Sequence, residues 1–385
     1  MAISTTLPRS QTALKIKGAS KVAISKNTPC PHPVDSKSAD MSPAEGATSG
    51  TEFAGVIVLL GNEVNADGFR ASHGMKPLRI GDRVVGGIFG NNPLRRDNGA
   101  FAEYVAVPAR LIWHVPADMS LTTAVALPAA IATVGLSLWQ HMKLPMPDAS
   151  SMLKGAATSN KASGPWVLIH GGGTATGCMA IQVLKMAGYQ IVATCSAGES
   201  ADRALRLGAA ATFDYHTPQC GAEVREHTQG KLNLALDCIT DTTSMALCYE
   251  ALGPAGGRYV ALDSFPLRGH TRRSVVPDWV CTYTQFGEPV AWAAPYNFDA
   301  RPDDRRCAEA WYAVAQALLD AGRLEAHPKE ERRGGWRRWP RDWMKSARAW
   351  FGEEIGLPRQ QGVVCGVMRW GYDYSLYTAS KYSSI

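Results

Sequence analysis

The residues with the clearest chemical meaning are Gly171, Gly172, Gly173, Thr174, Ala175, Thr176 and Gly177, which follow the apolar run Trp166–His170 without a break. Small residues at a strand-to-helix turn let the backbone approach a pyrophosphate closely. The helix start that follows offers free N–H groups and the positive end of its dipole. Thr174 and Thr176 add hydroxyl donors. The spacing departs from a strict G-x-G-x-x-G pattern, because Thr176 stands where the third glycine would fall. Alone, such a turn is as compatible with a structural role as with a ligand; the strand–helix units behind it select a dinucleotide.

The choice between NAD and NADP falls at the end of the next strand, where an NAD site wants a carboxylate to accept from the ribose hydroxyls. Here the strand ends in Cys195 and Ser196. Ser196 does not repel a 2′-phosphate, and Arg203 and Arg206 lie one or two turns further on, on what is otherwise an ordinary solvated helix face. Tyr215 is placed to stack on adenine, while Glu199 argues the other way. The balance predicts NADPH. Asp237 ends a later strand and reads as a loop cap, with Asp241 and Thr242 opening the helix after it.

These residues need a scaffold. From Pro165 onward short apolar runs alternate with helical stretches, which predicts five strands in a doubly wound parallel sheet. Before it, EFAGVIVLLG, RIGDRVVGGIFG and GAFAEYVAV read as strands of an all-β, barrel-like unit. Met119–Met142 has no formal charge, but its polar residues and helical spacing predict a buried helix and not a membrane span. Residues 144–164 read as a linker, and 303–321 as an amphipathic helix. The expected division is a barrel domain over 1–143, a linker over 144–164, a nucleotide-binding domain over 165–290, a helix and return segment over 291–328, and a tail over 329–385.

Composition narrows the classes. The 385 residues are 45% hydrophobic and carry a formal net charge of +6. That charge is not spread evenly: residues 329–385 hold 11 Lys+Arg against 6 Asp+Glu, so +5 of the +6 lies there, with five of the 11 Trp. The body is therefore close to neutral, and a nucleic-acid-binding arm in the tail has no fold motif to support it. The nine cysteines are scattered without a C-x-x-C pair, which predicts reduced thiols in a cytoplasmic protein and no cysteine-based zinc lobe.

A β-rich front unit joined to a nicotinamide-binding sheet resembles the medium-chain dehydrogenase/reductase superfamily. The front unit lacks a His-Glu dipeptide, so the chain looks like a zinc-free member with no metal. HPVDSK, GATSGTEFAG, FGNNP, DNGAFAEYVAV, GGGTATGCMAIQVL, LDCITDT and RGHTRRSVVPDWV closely resemble fungal trans-acting enoyl reductases of polyketide biosynthesis, over roughly residues 32–328. The resemblance implies an α/β architecture, a GroES-like β-barrel domain plus a Rossmann doubly wound parallel sheet. It implies reduction by NADPH of an α,β-unsaturated polyketide thioester, held on the acyl carrier domain of a partner polyketide synthase or synthase–peptide synthetase hybrid, by a monomer.

By position, the resemblance places the nicotinamide end at Pro33, Val34 and Asp35 and the phosphates at Gly173, Thr174, Ala175 and Thr176. Ser196, Ala197, Gly198, Glu199 and Tyr215 would take the adenosine and its 2′-phosphate, with Leu262 and Asp263 further along the cofactor. The substrate would be lined by Thr133, Val134, Gly135, Leu136, Ser137, Leu138, Trp139 and Gln140, and by Tyr283, Thr284, Gln285, Phe286 and Gly287. Lys37 would orient the reaction centre or stabilise charge there. The chain departs from the family at both ends: His32 replaces an asparagine after a segment that does not read as a strand, and the sequence after Trp336 reads as foreign to the family. A stand-alone quinone or enone reductase and an inactive NADPH-binding product are the competing readings.

Overall fold

The structure is a computed structural model that describes residues 15–16, 22–23, 35, 37–38, 42–61, 64–66, 68–102, 104–158, 164–332 and 376–379. Its strands run β1 (Lys15–Ile16), β2 (Val22–Ala23), β3 (Glu52–Val56), β4 (Arg83–Gly87), β5 (Ile112–His114), β6 (Trp166–His170), β7 (Gln190–Cys195), β8 (Ala211–Asp214), β9 (Leu234–Asp237), β10 (Gly257–Ala261), β11 (Val275–Trp279), β12 (Val290–Ala291), β13 (Asn297–Phe298), β14 (Lys329–Arg332) and β15 (Leu376–Ala379). The helices are α1 (Phe69–Ser72), α2 (Leu121–Ala124), α3 (Pro128–Gly135), α4 (Ala149–Thr158), α5 (Ala175–Met186), α6 (Glu199–Leu207), α7 (Cys220–His227), α8 (Thr242–Ala251) and α9 (Pro302–Asp320).

The dominant element is a six-stranded parallel sheet in the order β11-β10-β9-β6-β7-β8. Read from β8, this is the 3-2-1-4-5-6 winding whose strand order reverses between β6 and β9, and ligands bind beyond the strand ends at such a reversal. Five strands are expected from sequence and six are found. The extra one, VVPDW, carries Pro277 and Asp278, which obscure a strand pattern; it lies at the sheet edge, where a proline is tolerated.

The front unit is built on the antiparallel sheet β3-β4-β5. Phe53, Leu78, Val84, Ile88, Phe101 and Ile112 form its core. None of the described residues of GAFAEYVAV belongs to this sheet. The run docks through two backbone bonds instead, from Ala100 N–H to the Gly50 carbonyl and from Phe101 N–H to the Ser49 carbonyl, each 2.9 Å. The predicted linker also holds structure: Ala149–Thr158 is helical, started by Asp148, whose Oδ2 accepts the Ser151 N–H at 2.9 Å.

A continuous core joins the two units. It runs from Trp113 through Ile131 and Leu138 to Ile169 and Ile181, and includes Trp311 and Tyr312 of α9. The stretch Leu121–His141 is long and apolar enough to cross a membrane by composition, yet 67% of its apolar 18-residue window is buried inside the protein. Its last six residues, Leu136–His141, are π-helical. Helix α9 ties the units together: Trp113 Nε1 donates to the Tyr312 carbonyl, Trp311 Nε1 to the Ile131 carbonyl, and the Gln316 amide bonds both His114 N–H and its carbonyl.

Candidate active site

The glycine-rich turn leaves β6 at Gly171, whose φ of +80° suits glycine. Thr174 caps α5, its Oγ1 accepting the Gly177 N–H at 2.9 Å. Gly177 lies so close to the Gly171 carbonyl that a Cβ there would collide with backbone. The turn is therefore held tight against the strand by the lack of side chains, and residues 171–177 carry no ionisable group. This cradle fits a pyrophosphate.

The cradle opens into a cleft of about 230 Å³ at the strand-order reversal. Thr174, Ala175 and Thr176 line one side, with Cys238, Ile239 and Thr240 from the end of β9. Leu262 and Asp263 follow from β10. Lys37 and Thr51 of the front unit face them, together with Thr133, Tyr283, Gln285, Phe286, Trp279, Trp292 and Tyr296. The lining is mostly apolar, with a few convergent polar groups, which is the usual make-up of a small-molecule site.

Two polar clusters stand in this cleft. In the first, Asp263 accepts from Lys37 Nζ, from the Tyr296 hydroxyl at 2.7 Å and from the Ser264 N–H at 2.7 Å. Burial, and then the Asp263 carboxylate, push the Tyr296 phenol above its ordinary range, so it stays protonated. In the second, the Thr51 hydroxyl donates to Asp35 Oδ1 at 2.6 Å and lies 3.0 Å from the Tyr283 hydroxyl. Burial also raises the Tyr283 phenol. Just behind, Glu52 is almost fully buried and accepts the Ala129 N–H at 2.7 Å; burial pushes its carboxyl up to about 8. Glu52 escapes a sequence reading, since one acidic residue in the strand EFAGV has no pattern to mark it.

The adenosine side is separate from the cleft lining. Ser196 and Tyr215 meet through their hydroxyls at 3.2 Å, at the ends of β7 and β8. Ala197 and Gly198 form the turn into α6, where Glu199 is exposed. Arg206 is held by Glu325 at 2.7 and 2.8 Å and Arg203 by Glu199 at 2.7 Å, so neither guanidinium is uncommitted. Asp237 is a structural hub: it accepts from the Ile239 and Thr240 N–H groups and from the Ser244 and Tyr259 hydroxyls. Asp241 and Ser244 form a capping box on α8.

Several expected substrate residues lie away from the cleft. Of the run Thr133–Gln140, Thr133 reaches the lining, bonded to Thr282 at 3.0 Å. Val134, Leu136, Leu138 and Trp139 are buried in the core, and Ser137 bonds back to the Thr133 carbonyl. Gly135 packs against Trp311, and Gln140 donates to Asp304 at 3.0 Å. The reason is helical geometry: one face of the helix meets the cleft and the rest meets α9. In the second segment Tyr283, Gln285 and Phe286 line the cleft. Thr284 turns inward to Asp304 at 2.5 Å, and Gly287 ends the 3₁₀ turn at a φ of +67°. Pro33 and Val34 and the 333–375 part of the tail lie outside the described residues. Among the described residues no group of three or more His, Cys, Asp or Glu is arranged to hold a metal.

Comparison with known proteins places this geometry. The sequence pattern of the zinc-binding dehydrogenase family matches residues 175–266. The chain is 63% identical to trans-enoyl reductase iccB of Talaromyces variabilis over 346 residues, covering 86% of this chain and 90% of the relative. It is 59% identical to trans-enoyl reductase iliB of Neonectria sp. (strain DH2), covering 87% and 92%. Among solved structures, the CurK enoyl reductase superposes with a TM-score of 0.63 at 16% identity, covering 96% of this chain and 99% of that one. A mycobacterial protein, Rv1454c, solved with NADPH, superposes at 0.56 and 18% identity, covering 96% and 100%. Such distant structures show the fold alone, a GroES-like unit on a Rossmann sheet. The sequence relatives carry the rest: this chain belongs to the trans-enoyl reductases, oxidoreductases of the medium-chain dehydrogenase/reductase superfamily.

Proposed function

We propose that this protein uses NADPH to reduce the α,β double bond of a polyketide thioester carried on the acyl carrier domain of a partner polyketide synthase or synthase–peptide synthetase hybrid. The observation that carries the reading is the convergence of the phosphate cradle and the Lys37–Asp263–Tyr296 cluster in one cleft. The names of the sequence relatives favour an enoyl substrate in trans, and the NADPH-bound structural neighbour favours the cofactor. The strand end at Cys195-Ser196 favours the phosphorylated form, because no carboxylate stands there to repel the 2′-phosphate.

Gly173, Thr174, Ala175 and Thr176 would hold the diphosphate, and Leu262 and Asp263 would flank the nicotinamide half. When bound, the cofactor supplies a hydride to the β-carbon of the substrate. The chain's own residues must then tolerate negative charge on the thioester oxygen until a proton adds at the α-carbon, which completes saturation of the double bond. Lys37 is the positive group of the cleft, fixed in place by Asp263, and a preoriented cation in an apolar cleft stabilises such an oxyanion. The aromatic wall of Tyr283, Phe286 and Trp292 excludes water from that charge.

The test is co-incubation of a partner synthase with NADPH and its extender substrates, with and without this protein, reading product saturation by mass. A gain of two hydrogens at the reduced position, dependent on this chain, is expected. An unchanged product refutes the trans-acting role, and turnover of small free enones without a synthase would favour the stand-alone reductase instead.

A further inference from the structure

The return segment after α9 runs back over the nucleotide cradle. Gln182 of α5 bonds both the N–H and the carbonyl of Glu325, at 2.8 and 3.1 Å, and Arg206 grips the Glu325 carboxylate. Two residues on, the ring of His327 lies between two backbone carbonyls. Its Nε2 is 2.9 Å from the Gly173 oxygen and its Nδ1 is 3.0 Å from the Pro328 oxygen. A carbonyl oxygen only accepts. A neutral imidazole has one N–H and one lone pair, so it satisfies one of these contacts and turns a lone pair on the other. Only the imidazolium donates to both.

We propose that His327 is a positioning residue of the phosphate cradle, and that binding of the dinucleotide is coupled to uptake of a proton on its ring. The proposal rests on the NADPH reading above. Without ligand, burial holds this imidazole below its ordinary range, which leaves it largely neutral near pH 7 and one carbonyl contact unmet. The charged groups facing it are Arg203 and Glu199 of α6, a salt-bridged pair of opposite sign. Glu325 on its own segment is neutralised by Arg206. The cradle residues 171–177 are not ionisable, and the Cys178 thiol of α5 is pushed up to about 11 and stays neutral. A polyanion placed in the cradle is therefore the one added charge of consequence, and it favours the cationic ring. The doubly donating ring then fixes the Gly173 carbonyl, and with it the peptide plane that leads into Thr174. Affinity for NADPH should accordingly rise as pH falls from about 8 towards 6, by at most about tenfold per pH unit. The 2′-phosphate itself titrates near pH 6 and acts in the opposite direction, because its protonation removes charge.

The experiment is NADPH binding by isothermal calorimetry at about pH 7 in two buffers of different ionisation enthalpy, followed by dissociation constants between about pH 6 and 8 for the wild type and His327→Gln. Net proton uptake by the wild type is expected, with an affinity that rises towards acid pH. Glutamine, a donor that does not titrate, removes that rise and leaves the weaker opposite slope of the 2′-phosphate. Proton release or no exchange in the wild type overturns the proposal without recourse to any variant. A His327→Gln protein that binds more weakly by the same factor at every pH also overturns it, since that is the signature of plain loop support. Failure of NADPH to bind at any pH would instead remove the cofactor reading on which the proposal stands, and the proposal with it.

Discussion

The two walls of the cleft are made in opposite ways. The sheet wall, from Gly171 to Gly177, is specified by what its side chains lack: a positive φ at Gly171, backbone contact at Gly177 and no ionisable group. The front wall is specified by functional groups: Lys37 on the Asp263 carboxylate, and Thr51 between the Asp35 carboxylate and the Tyr283 hydroxyl. One wall binds through the backbone and fails when atoms are added. The other acts through side chains and fails when atoms are removed.

The sharpest way to break that contrast is Lys37→Ala. It should lower kcat for the enoyl substrate by about 100-fold, as loss of a preoriented oxyanion partner does, while the NADPH dissociation constant changes little. Single-turnover hydride transfer read at the nicotinamide absorbance, beside fluorescence titration of NADPH, separates the two; loss of NADPH binding would place Lys37 on the binding side. Gly177→Ala tests the opposite wall. The added methyl meets the Gly171 carbonyl, and overpacking of this kind costs about 1–3 kcal/mol. NADPH affinity and the melting temperature should fall together, with kcat at saturating cofactor less affected.

Glu52, behind the front wall, is read through stability and not through turnover. Its carboxyl rises from an ordinary 4.5 to about 8 in the folded chain, so the folded state keeps a proton that the unfolded state has already released. Its contribution is present in full below about pH 4.5 and is lost as pH climbs towards about 8, by at most about 1.4 kcal/mol per pH unit. Urea denaturation between these limits should show that decline in the wild type. Glu52→Gln, which keeps an acceptor for the Ala129 N–H, should flatten it. The smallest expected signal is chemical. Cys178, Cys195, Cys220, Cys238, Cys248, Cys281 and Cys307 all have thiols raised by burial, so peptide mapping should find them unalkylated at neutral pH until the fold is opened.

The same contrast explains how far the sequence is readable. The sheet wall is local: the turn, its cap at Thr174 and the strand before it are neighbours in the chain, and each leaves a compositional trace. The sheet itself is legible except at β11, where Pro277 and Asp278 hide an edge strand. The front wall is assembled across long separations. Lys37 meets Asp263 over 226 positions and Thr51 meets Tyr283 over 232, and no periodicity encodes such pairs. His327 escapes for the same reason, its partner Gly173 being 154 positions away. The run Thr133–Gln140 shows the opposite limit: a stretch carried by family resemblance as a block is divided by helical geometry, so that Pro128, Ala129, Ala132 and Thr133 of α3 line the cleft while Val134, Leu136 and Leu138 pack into the core and Gly135 against Trp311.

The anchoring of α9 has a mechanical consequence. The helix is bonded to the front unit through Trp113 and Gln316, and to the aromatic wall through Asp304–Thr284 and Tyr312–Gln285. Front unit, helix and wall are therefore tied to one another by hydrogen bonds, and the continuous core seats that frame on the nucleotide sheet. The contact between Lys37 and Asp263 crosses from the front unit to the end of β10 within the same frame. A substitution that loosens α9 should accordingly disturb the front unit and the aromatic wall of the cleft together, although the helix itself stands behind both.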